Sequence, residues 1–105
     1  MMLLGVTYKK DVKDLRESPS LDIIDYLRDA GAEVSYHDPF IPFIKLDDID
    51  MKVSKLSKVH LTKQDCVIIV TDHTDIDYKF VQKNAKLVYD TRNVFDSLHT
   101  NVVKL

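Results

Sequence analysis

The residues most able to do chemistry in this chain are crowded between Tyr8 and Ser20, where Lys9, Lys10, Lys13 and Arg16 interleave with Asp11, Asp14 and Glu17. The cations lead, and a paired Lys9-Lys10 opening a polar run is a local attractor for an anion. Further along, Asp38 follows Tyr36-His37, Asp72-His73 follows the apolar run 66–70, and Asp90 and Arg92 follow the apolar segment 85–89. A lysine supplies a compact point charge and an arginine a planar fork of donors. Lys9 with Arg92 would therefore suit a phosphate or pyrophosphate with a neighbouring sugar or base. Helix amides after Ser18 would add partial positive charge nearby.

Each of these residues also has a purely structural use. Lys10 and Lys13 suit a solvated surface, and Asp11 and Asp14 suit local pairing or the turning of a loop. Lys9 and Arg92 sit just past strongly apolar segments, where ligand binding and bridging to a loop carboxylate are both open. His73 fits a strand-end or loop histidine as readily as a proton carrier. Cys66 opens an apolar run and reads as core, because a reactive thiol needs exposure and an electropositive setting. The histidines, His37, His60, His73 and His99, are scattered, so metal-ligand spacing is absent. Gly5 and Gly31 stand far apart, which leaves no Gly-rich phosphate loop.

The elements that would position these residues alternate in type. Residues 3–8 carry Leu3, Leu4, Val6 and Tyr8, the near-continuous apolar character of a strand covered on both faces. The polar connection that follows is long, since strand and helix in α/β units are usually joined by about two to six residues. Ser18 as cap and Pro19 at the first helical position start a helix over Leu21–Ala30. Ile23, Ile24, Leu27 and Ala30 share its inner face, and Gly31 closes it. Ala32–Tyr36 reads as a second strand ended by Pro39, completing a right-handed βαβ unit. Residues 39–65 are less regular: an apolar segment from Phe40 to Ile44, an acidic Asp47–Asp50, a loose edge strand over Met51–Leu56 and a turn of helix at Leu61–Gln64. Cys66–Val70 is a buried strand. Thr74 or Asp75 caps a helix through Lys83 with Tyr78, Phe80 and Val81 inward, Ala85–Tyr89 is another strand, and Val102–Leu105 adds an edge. The expectation is a single-domain, three-layer αβα, Rossmann-like open parallel sheet. In such sheets ligands bind beyond the carboxyl ends of the strands, where strand order reverses. Tyr8, Lys9, Lys10, Asp38, Asp72, His73, Asp90 and Arg92 all fall at those ends.

Composition narrows the classes of function. The chain has 105 residues, 45% of them hydrophobic, enough for one domain with a core that needs no disulfide. A formal net charge of -2 and a pI near 6.0 disfavour a general nucleic-acid or membrane-surface binder, so an anion site would be local. No apolar run approaches the roughly 18 residues of a membrane span, and no signal-type start is present. With a lone Cys66, the expected compartment is the cytoplasm.

The stretch from Gly5-Val6-Thr7-Tyr8-Lys9-Lys10 through Asp14-Leu15-Arg16-Glu17-Ser18-Pro19-Ser20 to Ile23 resembles the opening of the C-terminal domain of the UDP-glucose/GDP-mannose dehydrogenase family. Tyr36-His37-Asp38-Pro39, Val70-Thr71-Asp72-His73 and Asp90-Thr91-Arg92-Asn93 resemble that domain's later motifs in the same order, so the likeness spans nearly the whole chain. The wording of Gly5–Pro19 and Asp90–Asn93 is most similar to the branch oxidising UDP-N-acetyl-hexosamines.

The resemblance implies a nucleotide-sugar 6-dehydrogenase, which oxidises a C6 alcohol to a carboxylate in two NAD-dependent steps through a covalent thiohemiacetal and thioester. It implies that Tyr8 and Lys9 contact the UDP-sugar, that Arg92 binds substrate, and that Arg16 reaches NAD bound by another domain. No catalytic role falls on Cys66, whose surroundings lack the Gly-rich setting of the family's nucleophile. The partners implied are an N-terminal NAD-binding domain and a central dimerisation region, neither present here. The chain is thus expected to be a piece of a longer enzyme, beginning at the doubled Met1-Met2 and inactive alone. Phe40 and Phe43 are expected to be exposed, covered in the whole enzyme by a partner surface. The competing expectation is a free-standing α/β nucleotide- or protein-binding module, such as a receiver domain. A receiver would need adjacent carboxylates after the first strand, where this chain has Tyr8-Lys9-Lys10.

Overall fold

In chain order the elements are β1 (Met2–Leu4), α1 (Pro19–Asp29), β2 (Ser35–His37), β3 (Phe43–Leu46), β4 (Ile49–Lys52), α2 (Lys58–Lys63), β5 (Val67–Ile69), α3 (Tyr78–Asn84), β6 (Val88–Asp90) and β7 (Val102–Lys104). This computed structural model describes residues 1–11, 15, 18–46, 48–96 and 99–105. Five strands form one sheet in the order β2-β1-β5-β6-β7, with every pairing parallel. The order runs outward from β1 in both directions, so the switch point lies between β1 and β5.

The side-chain period of two explains the layers. Met2, Leu4, Val67, Ile69 and Val88 face α2 and α3 in a core with Leu61, Ile76 and Val81. Leu3, Ile68, Cys66 and Val70 point the other way, into a core with Ile24 of α1 and Ile44, Ile49 and Met51 of the β3-β4 hairpin. Both sheet faces are covered, which is the expected αβα arrangement with a hairpin beside α1.

The differences from expectation have local causes. β1 ends at Leu4, not near Tyr8, because Gly5 turns to φ +77 and the next amide, Val6 N, goes to the carboxylate of Asp38. β2 starts at Ser35, because Ala32 N is used to close α1 on Leu27 O at 3.0 Å. Ala30 is exposed and is the C-cap of α1, not part of its inner face. α3 starts after Asp77, whose side chain accepts from Phe80 N; Thr74 is engaged by Asp11 instead. The helix expected at Leu61–Gln64 begins at Lys58 under a Ser57 cap. The irregular segment and loose strand are one antiparallel hairpin, β3 paired with β4. Ile44, Ile49 and Met51 point inward from it, while Phe43, Leu46, Asp50 and Lys52 point outward. Phe43 is 56% exposed as expected. Phe40 is not: it packs on the α1-side core, its ring 4.9 Å from that of His73.

Candidate functional site

The carboxyl end of β1 is held by the strands on both sides of it. Gly5 lies so close to the chain after β5 that a Cβ there would sit 2.2 Å from Thr71 O and 2.7 Å from Thr71 Cβ. Only glycine combines that approach with a φ of +77. Thr71 Oγ1 donates to Thr7 O at 2.7 Å. On the other side, Asp38 Oδ2 accepts Val6 N at 2.8 Å and Asp38 Oδ1 accepts Phe40 N at 2.8 Å. Val6 and Thr7 are fully buried, whereas Tyr8 is 53% exposed and Lys9 and Lys10 are exposed. The chain therefore leaves the core at Tyr8, with its cations outside.

The loop comes back to the body at Asp11. Its amide donates to His73 Nδ1 at 2.8 Å. An amide can only donate, so Nδ1 accepts and the proton of the neutral ring sits on Nε2. That proton points at Asp38 Oδ2, 2.8 Å away. Thr7 Oγ1, at 3.0 Å from the same nitrogen, gives its own hydrogen to Lys9 O at 2.8 Å and so also accepts from Nε2. His73 is thus completely buried with both ring nitrogens satisfied. The Asp11 carboxylate accepts from Thr74 N at 2.8 Å and Thr74 Oγ1 at 2.6 Å. These bonds, the hydroxyl first and then the amide, hold its carboxyl below the usual carboxylate range. Asp11 itself has φ 58, a conformation that aspartate tolerates better than most residues.

The far end of the polar connection is tied to the same point. Ser18 Oγ and Ser20 Oγ reach Val6 O at 2.7 and 2.6 Å, and Ser20 N donates to Ser18 Oγ at 3.2 Å, capping α1. Ser18 and Ser20 are thus fastened to Val6, two residues before Tyr8.

After β6, a second loop carries Arg92. The Asp90 carboxylate, almost fully buried, accepts from Arg92 N, Val94 N and Phe95 N at 3.1, 3.0 and 2.9 Å. Asn93 takes φ 58, and Thr91 Oγ1 donates to Ile69 O. The Arg92 side chain, 47% exposed, has its Nε 3.7 Å from Asp72 Oδ1. So exposed a pair is worth about 0–1 kcal/mol, which leaves the guanidinium free to take another anion. Tyr78 OH donates to His73 O at 2.9 Å, and burial, reinforced by Asp72, raises its phenol.

Of the residues singled out from the sequence, Tyr8, Lys9 and Arg92 thus stand on the same carboxyl edge, exposed. β1 and β6 flank β5, which separates their ends by roughly 10 Å at about 4.8 Å per strand, a span that a diphosphate with its sugar can bridge. Arg16 lies outside the described residues. Cys66 is buried, and burial raises its thiol. Among the described residues no group of three or more His, Cys, Asp or Glu is placed to hold a metal, and no helix is long and apolar enough to cross a membrane. The Asp38–His73 pair was legible only as two strand-end residues; their contact across β1 follows from strand order, which periodicity does not encode. A cleft of about 720 Å³ lies beside this edge between α3 and residues 94–96 with His99, lined by Tyr78, Gln82 and Phe95.

Comparison with known proteins agrees with this fold. Residues 2–97 match the model of the UDP-glucose/GDP-mannose dehydrogenase family, UDP binding domain. A UDP-N-acetyl-D-mannosamine dehydrogenase of Methanococcus maripaludis is 34% identical over 102 residues, covering 90% of this chain and 22% of the relative. A UDP-glucose 6-dehydrogenase of Bos taurus is 30% identical over 120 residues, covering 95% and 24%. The solved UDP-N-acetyl-mannosamine dehydrogenase of Staphylococcus aureus superposes with a TM-score of 0.68 at 30% identity, covering 98% of this chain and 24% of that one. The chain therefore spans about a quarter of the length of the relatives it matches.

Proposed function

This chain belongs to the UDP-glucose/GDP-mannose dehydrogenase family, as its UDP binding domain, and from that membership we propose that its carboxyl edge holds the UDP portion of a nucleotide sugar. The observation that carries this is the placement of Lys9 and Arg92 on loops flanking β5, both exposed and both fixed at the backbone by buried carboxylates and hydroxyls. Lys9 supplies a point charge to the pyrophosphate. Arg92 supplies a fork of donors, steadied by Asp72. Tyr8, half-exposed and next to Lys9 in the chain, offers a ring face and a hydroxyl to the sugar or base.

The whole enzyme would oxidise the C6 alcohol of a UDP-sugar to a carboxylate with two equivalents of NAD, in the cytoplasm and in the service of polysaccharide synthesis. The N-acetyl-mannosamine relatives favour an N-acetyl-hexosamine as the sugar. Residues 1–105 form one domain of it, covering the nucleotide while other parts of a longer chain hold NAD and the nucleophile. NAD does not fit the residues present: Gly5 is pressed against Thr71 and Gly31 lies past the end of α1, so neither opens a dinucleotide loop. Arg16 is the residue proposed to reach it from this side.

Calorimetric titration tests the assignment. UDP is expected to bind this chain about tenfold or more tightly than uridine, since pyrophosphate contacts are charge-assisted. Equal affinity for both would overturn it. NAD reduction by the purified chain with a UDP-sugar would overturn the division of labour.

A further inference from the structure

His73 is fully buried beneath the cationic loop, touches no exposed surface, and yet uses both ring nitrogens on groups from two other elements. A histidine in this position could serve as mere filling. Three features argue otherwise. Its Nδ1 takes the amide of Asp11, the residue in the strained left-handed conformation at which the loop rejoins the body. Its Nε2 proton is shared between Asp38 Oδ2 and Thr7 Oγ1, and that same hydroxyl donates to Lys9 O. The carboxylate it faces also holds Val6 N, the first amide beyond the Gly5 turn. His73 thus touches, directly or through one atom, Lys9 itself and Val6, Thr7 and Asp11, which bracket Tyr8 and Lys9.

We propose that His73 is the positioning residue of the Tyr8-Lys9 loop: neutral, with its proton on Nε2, it builds the loop in its nucleotide-binding form before the nucleotide arrives. The inference rests on assigning that loop to UDP, and it adds a residue that itself touches no ligand. Its role is preorganisation, which strengthens binding by removing the cost of ordering the loop in the complex. The arrangement is specific to one tautomer. With the proton on Nδ1, two hydrogens would meet at the Asp11 amide, and Nε2 would face Asp38 with two acceptors and no proton.

Two substitutions separate the roles of the two nitrogens. In His73→Asn the side-chain oxygen falls where Nδ1 lies and can accept the Asp11 amide. In His73→Gln the terminal NH2 falls where Nε2 lies and serves Asp38, but the Asp11 amide is left without its acceptor. The experiment is ¹⁵N NMR of this chain and both variants, free and titrated with UDP. In the unsubstituted chain a through-hydrogen-bond coupling is expected between the Asp11 amide nitrogen and His73 Nδ1, with the ring proton on Nε2. UDP affinity is expected to fall about tenfold in His73→Gln and to stay within about threefold in His73→Asn, the scale of ordering one or two side chains. Equal affinity in all three, or equal loss in both variants, would overturn the proposal, as would a ring proton on Nδ1. If His73→Gln does not fold, the tautomer and the His73→Asn affinity decide alone. If the unsubstituted chain shows the coupling and binds no UDP, the nucleotide assignment fails while the anchoring of the loop stands.

Discussion

Asp38 Oδ2 lies 2.8 Å from His73 Nε2, and neither side chain has any exposure to solvent. Because β1 lies between β2 and β5, this contact passes over the carboxyl end of β1 and closes the switch-point crevice from above. The crevice where many α/β proteins admit a ligand is here filled by the protein's own polar groups, and the exposed cations are carried outward on the loop above it.

Asp38→Asn tests that closure. A carboxylate accepts Val6 N, Phe40 N and His73 Nε2 together; an amide must turn its NH2 toward at least one of these donors. The expected loss is about 1–3 kcal/mol, the cost of leaving a buried donor unpaired. Chemical denaturation measures it, and an unchanged midpoint would contradict it.

Gly5→Ala and Gly31→Ala separate two costs that usually come together. Both positions have positive φ, +77 and +89, but a Cβ at Gly5 meets Thr71 O at 2.2 Å whereas at Gly31 it meets nothing within 4 Å. Gly31→Ala should lose only about 1–2 kcal/mol, the cost of left-handed backbone. Gly5→Ala should lose more, about 3 kcal/mol or beyond, because β1 and β5 must separate. Similar losses at the two sites in thermal melts would contradict the close approach.

Asp25 on α1 has its carboxyl raised, chiefly by desolvation and then by Asp48, Asp29 and Asp22. A carboxylate raised in the folded state favours its protonated form, so it subtracts stability once pH exceeds its ordinary value of 3.8. Asp25→Asn should therefore raise Tm at pH 7. The gain should shrink as pH falls through the raised carboxyl toward 3.8 and vanish below it. A Tm gain that does not depend on pH would contradict the electrostatic cause.

Much of the architecture was legible because the apolar runs are short, β-branched and buried on both faces. Cys66–Val70 could scarcely be anything but a central strand, and its middle, Val67–Ile69, is β5. Of Ala85–Tyr89 only Val88 and Tyr89 enter β6, because Ala85 caps the end of α3. Ser18-Pro19 marks the start of α1 within a residue. The β3-β4 hairpin was obscured because its inward residues, Ile44, Ile49 and Met51, are split by a polar turn and bracketed by Phe40, Phe43 and Leu46, which blur the alternation. At the carboxyl edge, the exposed positions of Lys9 and Arg92 were legible from residue type and from their place after apolar strands. The partnership of Asp38 with His73 was not. It depends on two long-range distances, and each residue alone looked like an ordinary strand end.

The most direct test of the central claim is to titrate this chain with UDP while following backbone amide shifts, then to repeat it with Lys9→Ala and Arg92→Ala. Shifts are expected to concentrate in residues 5–11, 18–20, 71–74 and 90–95, and each substitution should weaken binding about tenfold or more, the scale of one charge-assisted contact. Shifts confined to the cleft beside α3, or titrations unchanged by both substitutions, would contradict the assignment of UDP to the carboxyl edge of the sheet.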